Sequence, residues 1–100
     1  MGFSEEMIQS VWEKGNIVYG NDPNFWRKDQ CGAWIGRTSY GNRDSQYGWE
    51  IDHITSVSNR GSDALSNLRP LHWGNNASKQ DGRLICSVIA SGQNNSQCRR

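Results

Sequence analysis

Asp52 and His53 stand side by side in the chain, and Asn67 and Asn76 follow them in a stretch that closes on Asn75-Asn76-Ala77-Ser78-Lys79. A carboxylate is a hard oxygen ligand for a divalent cation. An imidazole, with an ordinary pKa of about 6.5, keeps a large neutral fraction at neutral pH and can take a proton from water. An amide can brace a loop or lend its carbonyl oxygen to a metal. Together the four side chains can supply what hydrolysis of a phosphodiester requires: an oxygen ligand, a base, an orienting amide and a second ligand. Taken singly, each has an ordinary explanation as a hairpin histidine, a turn aspartate or a helix-capping amide.

Such a group needs elements to hold it. Ser4 is placed to cap a helix over about residues 4–15, with Glu5 and Glu6 at its positive end, Met7, Ile8, Val11 and Trp12 on one face, and Lys14-Gly15 at its close. Cys31 to Tyr40 reads as extended, Gly41 to Ser45 as a turn cluster, and Tyr47 to Ile54 as the returning strand of a hairpin. Strict alternation puts Trp49, Ile51 and His53 on one face and Asp52 on the other, so a shared site requires the strand to end or twist at Asp52. Ser56 to Asp63 is a polar loop. Leu65 to Trp73 reads as a second strand, of edge or irregular type because Pro70 interrupts it. Asn75 to Asp81 offers a short helix stopped at Gly82. Arg83 to Ala90 is open between strand and helix, its β-branched residues favouring strand. Ser91 to Arg100 is a polar tail expected to fray.

The bulk numbers are permissive. One hundred residues make one domain, residues 1–100, with a small core in which five Trp must fill much of the volume. Eleven basic residues against ten acidic ones leave a formal charge of +1, so any surface for a polyanion has to be local. Cys31, Cys86 and Cys98 are odd in number and widely spaced, with no Cys-x-x-Cys, which argues against both a disulfide framework and a four-cysteine zinc site. The N-terminus has no leader pattern and no apolar run spans a bilayer, so the expectation is a cytoplasmic protein with no membrane partner.

Trp49-Glu50-Ile51-Asp52-His53-Ile54, then Asn67-Leu68-Arg69-Pro70-Leu71-His72-Trp73, then Asn75-Asn76-Ala77-Ser78-Lys79 resembles the HNH endonuclease family. The ordered set, rather than any lone Asp-His, carries the resemblance, which extends from about Trp26 to Lys79. It implies an α+β protein built on the ββα-metal core, an antiparallel β-hairpin plus a short helix over about residues 26–82, with the N-terminal helix packed against it. It implies a metal-dependent DNA endonuclease that leaves 5′-phosphate ends, nicking or cutting with weak sequence selectivity, since nothing here resembles a DNA-reading helix.

The family's roles transfer residue by residue. His53 matches the general base, its other ring nitrogen held by a backbone carbonyl. Asp52 and Asn76 match the ligands of one divalent ion, Mg²⁺ or Mn²⁺ in the first place, with Zn²⁺ or Ni²⁺ as alternatives, and Asn75 is left to cap the helix. Asn67 matches the asparagine that braces the loop after the first strand, so His53 and Asn67 form the catalytic pair. Among the available cations, Lys79, Arg69 and Arg37 are the expected contacts to nucleic acid.

Many family members carry two Cys-x-x-Cys pairs that hold a structural zinc. Here they map to Cys31 and Trp34, and to His72 and Asn75. Two plausible ligands are too few for a closed site, so no structural zinc is expected and packing of Trp34 and Trp73 should replace it. For His72 a residual metal site with Cys31 and a place facing the active site both stay open. Two competing functions remain beside the nuclease: a catalytically weak nucleic-acid-binding module on the same fold, and an accessory protein of a larger nuclease or packaging complex. A homodimer is a further way to gain specificity.

Overall fold

The computed structural model describes residues 2–80 and 82–98. Helix α1 (Glu5–Trp12) is capped as expected: the Ser4 hydroxyl accepts from the Met7 amide, and Glu5 and Glu6 lie in the first turn. Its apolar face delivers Ile8, Val11 and Trp12 to a core completed by Ile35, Trp49 and Leu68. Trp49 is the hub, with Trp12 5.2 Å and Tyr40 4.9 Å away by ring centroids.

Three two-stranded antiparallel sheets follow: β1 (Trp26–Lys28) with β2 (Trp34–Gly36), β3 (Trp49–His53) with β4 (Leu68–His72), and β5 (Val88–Ser91) with β6 (Asn94–Gln97). The expected hairpin between Cys31–Tyr40 and Tyr47–Ile54 does not form. Asp29 decides this, because its Oδ1 accepts from the amides of Cys31 and Ala33 and folds β2 back onto β1. Gly32, at φ +85°, supplies the left-handed residue of that turn. Arg37–Ser39 then tightens into a 3-10 turn, and β3 is free to pair with β4 in the register Trp49↔His72 through His53↔Leu68.

Pro70 is accommodated opposite Ile51 because each strand of a two-stranded sheet has an unpaired side on which a missing N–H costs nothing. The segment before β4, Leu65–Asn67, is a 3-10 turn rather than strand. Helix α2 runs Trp73–Ala77, two residues earlier than expected and shorter, and ends before Lys79. Its N-cap is His72, whose Nδ1 accepts from the Gly74 amide, so Asn75 is not the cap. β3, β4 and α2 make the ββα unit, and the protein is a small α+β fold. No helix among the described residues is long and apolar enough to cross a membrane.

The C-terminal expectation is corrected. Residues 91–97 do not fray; they form the turn and second strand of the β5–β6 hairpin. Asn95 anchors it by accepting from the Trp34 amide and donating to the carbonyls of Trp34 and Gln46. Polarity was a poor guide because these amides satisfy backbone groups of the neighbouring sheet. Arg99 and Arg100 lie outside the described residues.

The cysteine expectation is also overturned: Cys31 and Cys86 form a disulfide across 55 residues of chain, leaving Cys98 free and exposed. Spacing could not reveal a pair brought together by the return of the chain from α2 to β5.

Candidate active site

β3 stays regular to its last residue, so the twist at Asp52 expected from the sequence is absent. Trp49, Ile51 and His53 face α1 and the N-terminal segment, with the rings of Phe3 and His53 6.1 Å apart. Glu50 and Asp52 face α2. Asn76 and Asp52 therefore lie on the same side of the sheet. Asn76 Nδ2 donates to Glu50 Oε1 at 2.8 Å, and Lys79, three residues on, reaches Asp52.

Asp52 is 4% exposed, and each of its oxygens holds a cation. Arg69 Nε donates to Oδ2 at 2.7 Å, and Lys79 Nζ donates to Oδ1. Arg69 also donates to Gln30 Oε1, and Lys79 to the His53 carbonyl oxygen at 3.4 Å. Two of the cations assigned to nucleic acid are thus engaged with the carboxylate assigned to metal. The third, Arg37, stands elsewhere: its guanidinium bonds Gln9 and lies 3.8 Å from Glu5 on α1. Arg27 is buried and bonds the carbonyls of Glu13 and Gly15, just past the end of α1, and of Pro23.

Glu50 was not anticipated, although period-two alternation puts it on the face of Asp52. Arg43 clasps it through two nitrogens, at 2.6 and 2.9 Å. That guanidinium, aided by the Asn76 amide and opposed by burial, holds the Glu50 carboxyl below the usual carboxylate range. Asn76 is left with an amide oxygen that no donor among the described residues reaches. Asp52, Glu50 and that oxygen offer oxygen atoms on one face, the donor chemistry that suits Mg²⁺ or Mn²⁺. No cluster of three His, Cys, Asp or Glu suited to a metal occurs among the described residues, so any ion here depends on the amide and on release of a cation from Asp52.

His53 closes β3 with its side chain partly exposed, and its Nε2 lies 2.6 Å from Asp63 Oδ1. The partner is a carboxylate, not the backbone carbonyl expected. Asn67 ties the neck of the intervening loop: Oδ1 accepts from the Thr55 amide at 2.7 Å, and Nδ2 donates to the carbonyls of Thr55 at 3.0 Å and Ser62 at 2.8 Å. The bracing expected of this asparagine is present. Gly61 is part of the same closure, since a Cβ there would sit 1.7 Å from the Thr55 oxygen. Beside the strand end opens a cleft of about 300 Å³ lined by Lys14, Lys28, Gln30, Ile54 and Arg69.

The segments that hold Cys31, His72 and Asn75 are joined around Asp29, 1% exposed. Its Oδ2 accepts from the His72 amide at 2.9 Å and from Asn75 Nδ2 at 3.0 Å, while Oδ1 holds Cys31 and Ala33. Asn75 in turn exchanges two hydrogen bonds with Val88. One carboxylate with four N–H donors thus joins the β1–β2 turn, the β4–α2 junction and β5. This frame and the disulfide brace the region together with Trp34 and Trp73, whose indole N–H groups donate to the carbonyls of Gly92 and Ser45.

His72 serves the same frame: Nε2 donates to the Gln46 carbonyl at 2.8 Å and Nδ1 accepts from Gly74 at 2.9 Å. Both nitrogens are spent in a neutral ring, and burial pushes its pKa below the ordinary value. Neither role left open for His72 fits: Cys31 is in a disulfide, and the ring faces Gln46 and Trp73.

No curated protein and no solved structure matches the chain. A protein-family model described as HNH endonuclease matches residues 36–82, a span that takes in β3, the Asn67-braced loop, β4 and α2. Through this ββα segment, just under half of the chain, the protein is similar to the HNH endonuclease family.

Proposed function

We propose that the protein is a metal-dependent DNA endonuclease that hydrolyses phosphodiester bonds with weak sequence selectivity. Its nuclease-type character follows from the family; DNA as substrate, the need for a metal and the residue roles are our reading. The observation that carries it is the state of His53: one ring nitrogen is held by Asp63, and the other meets no hydrogen-bonding group among the described residues at the open end of β3. In this reading the free Nδ1 takes a proton from water as that water's oxygen bonds to phosphorus and the bond to the 3′ oxygen breaks, the leaving oxygen gaining its proton from solvent. Asp52 and Asn76 would hold the divalent ion, which would supply positive charge to stabilise the transition state. Asn67 keeps His53 and the loop in register, and Arg69 with Lys28 in the adjoining cleft offers positive charge to neighbouring phosphates.

One observation favours the second reading, a binding module without catalysis: both oxygens of Asp52 carry a protein cation. Nicking of supercoiled plasmid with Mg²⁺ or Mn²⁺, against a His53→Ala control, separates the two. Retention of DNA at low salt with no nicking in any divalent ion would leave the binding module standing.

A further inference from the structure

The loop from Thr55 to Ala64 does more than connect β3 to β4. Tied at its neck by Asn67 and folded tightly at Gly61, it returns Asp63 to His53 with 2.6 Å between Oδ1 and Nε2. An ionised carboxylate only accepts hydrogen bonds, so the nitrogen facing it carries the proton, and in a neutral ring the bare nitrogen is then Nδ1. The Phe3 ring, 6.1 Å away by centroids, is apolar and cannot choose between the two nitrogens. Asp63 is 74% exposed, and a hydrogen bond so open to water adds little to stability. Its consequence is orientation.

We infer that Asp63 is a positioning residue that fixes the tautomer and rotation of His53 so that Nδ1 faces the reacting water. The kinetic part of this inference rests on the nuclease reading; the tautomer does not.

The test is ¹⁵N NMR of the His53 ring in wild type, Asp63→Asn and Asp63→Glu, paired with plasmid nicking by the same proteins. Asn can turn either its oxygen or its NH₂ to the ring and so removes the preference. The expected result is a single Nε2–H tautomer in wild type and a mixture, or the Nδ1–H form, in Asp63→Asn. In that variant kcat falls about 10- to 100-fold with DNA affinity unchanged. Asp63→Glu recovers the tautomer and part of the rate. An unchanged tautomer in Asp63→Asn overturns the inference, and so does an unchanged kcat when the tautomer has shifted. A wild type that cuts nothing defeats the nuclease reading instead, and the ring spectrum still judges Asp63.

Discussion

Asp52 and His53 share a peptide bond yet point to opposite faces of β3, the carboxylate between Arg69 and Lys79 under α2, the imidazole toward Phe3 and Asp63. The proposed base, His53, and the proposed metal ligand, Asp52, therefore lie on opposite faces of one strand. Damage to one should leave the other standing.

The first consequence concerns His53. Replacing it with Ala should lower the nicking rate by about 10²- to 10⁴-fold, the usual worth of a general base. Metal affinity measured by calorimetry should stay at the wild-type value, because the imidazole does not share a face with Asp52. A variant that cuts at the wild-type rate would remove His53 from the mechanism.

Asp52→Ala should do the reverse and more. It deletes the acidic partner between two largely buried cations, a change that commonly costs about 3–5 kcal/mol. Residual solvent contact at Arg69 and Lys79 points to the lower end of that range. Productive metal binding should be lost with it. An unmoved urea midpoint would show that the triad contributes nothing to the fold.

Asn67→Ala breaks three hydrogen bonds at the neck of the loop. At about 1 kcal/mol each, discounted because the site is partly exposed, destabilisation of about 1–2 kcal/mol is expected. Amide exchange at Thr55 and Gly61 should quicken together, while that of Ile51 in the middle of β3 keeps its wild-type rate. Unchanged exchange at Thr55 would mean that the loop closes without its asparagine.

His72 gives a pH signature. Its folded pKa lies below the ordinary value because burial disfavours the charged ring. The unfolded chain therefore binds a proton below about pH 6.5 that the folded protein refuses, so stability is full above that pH and declines as the pH falls below it. Glu50, whose carboxyl is held low by Arg43, adds its own loss at more acid pH. Urea unfolding between pH 5 and 8 should show the decline in wild type and a flatter profile in His72→Gln; parallel profiles would contradict the assignment.

The disulfide is tested by counting thiols. Unfolded protein without reductant should titrate one thiol, Cys98, and three after reduction. Reduction should cost about 4 kcal/mol by the chain-entropy relation for a loop of this length. Three thiols before reduction would refute the pairing.

Local pattern carried far into this protein. The cap at Ser4, the apolar stripe of α1, the two strands flanking a polar loop and the place of Asn67 could all be read from the chain, because each depends on residues close in sequence or on a one-sided period. The order Asp-His, Asn, Asn-x-x-Lys was enough to point to the family whose model matches residues 36–82. Strand partners, by contrast, were misassigned around Cys31 to Tyr40, since that choice turned on whether Asp29 would cap a turn.

What the tertiary structure alone decided was the pairing of groups far apart in the chain. Asp63 reached His53 only because the loop closed; Cys31 met Cys86, and Asp29 met Asn75, only because β5 returned past the β1–β2 turn. The sequence by itself determined which chemical groups this protein owns and which face of each element they occupy. Which nitrogen of His53 stays free, and which cations lie on Asp52, followed from long-range packing, where a few kcal/mol of burial and hydrogen bonding choose among neighbours that no local period can rank.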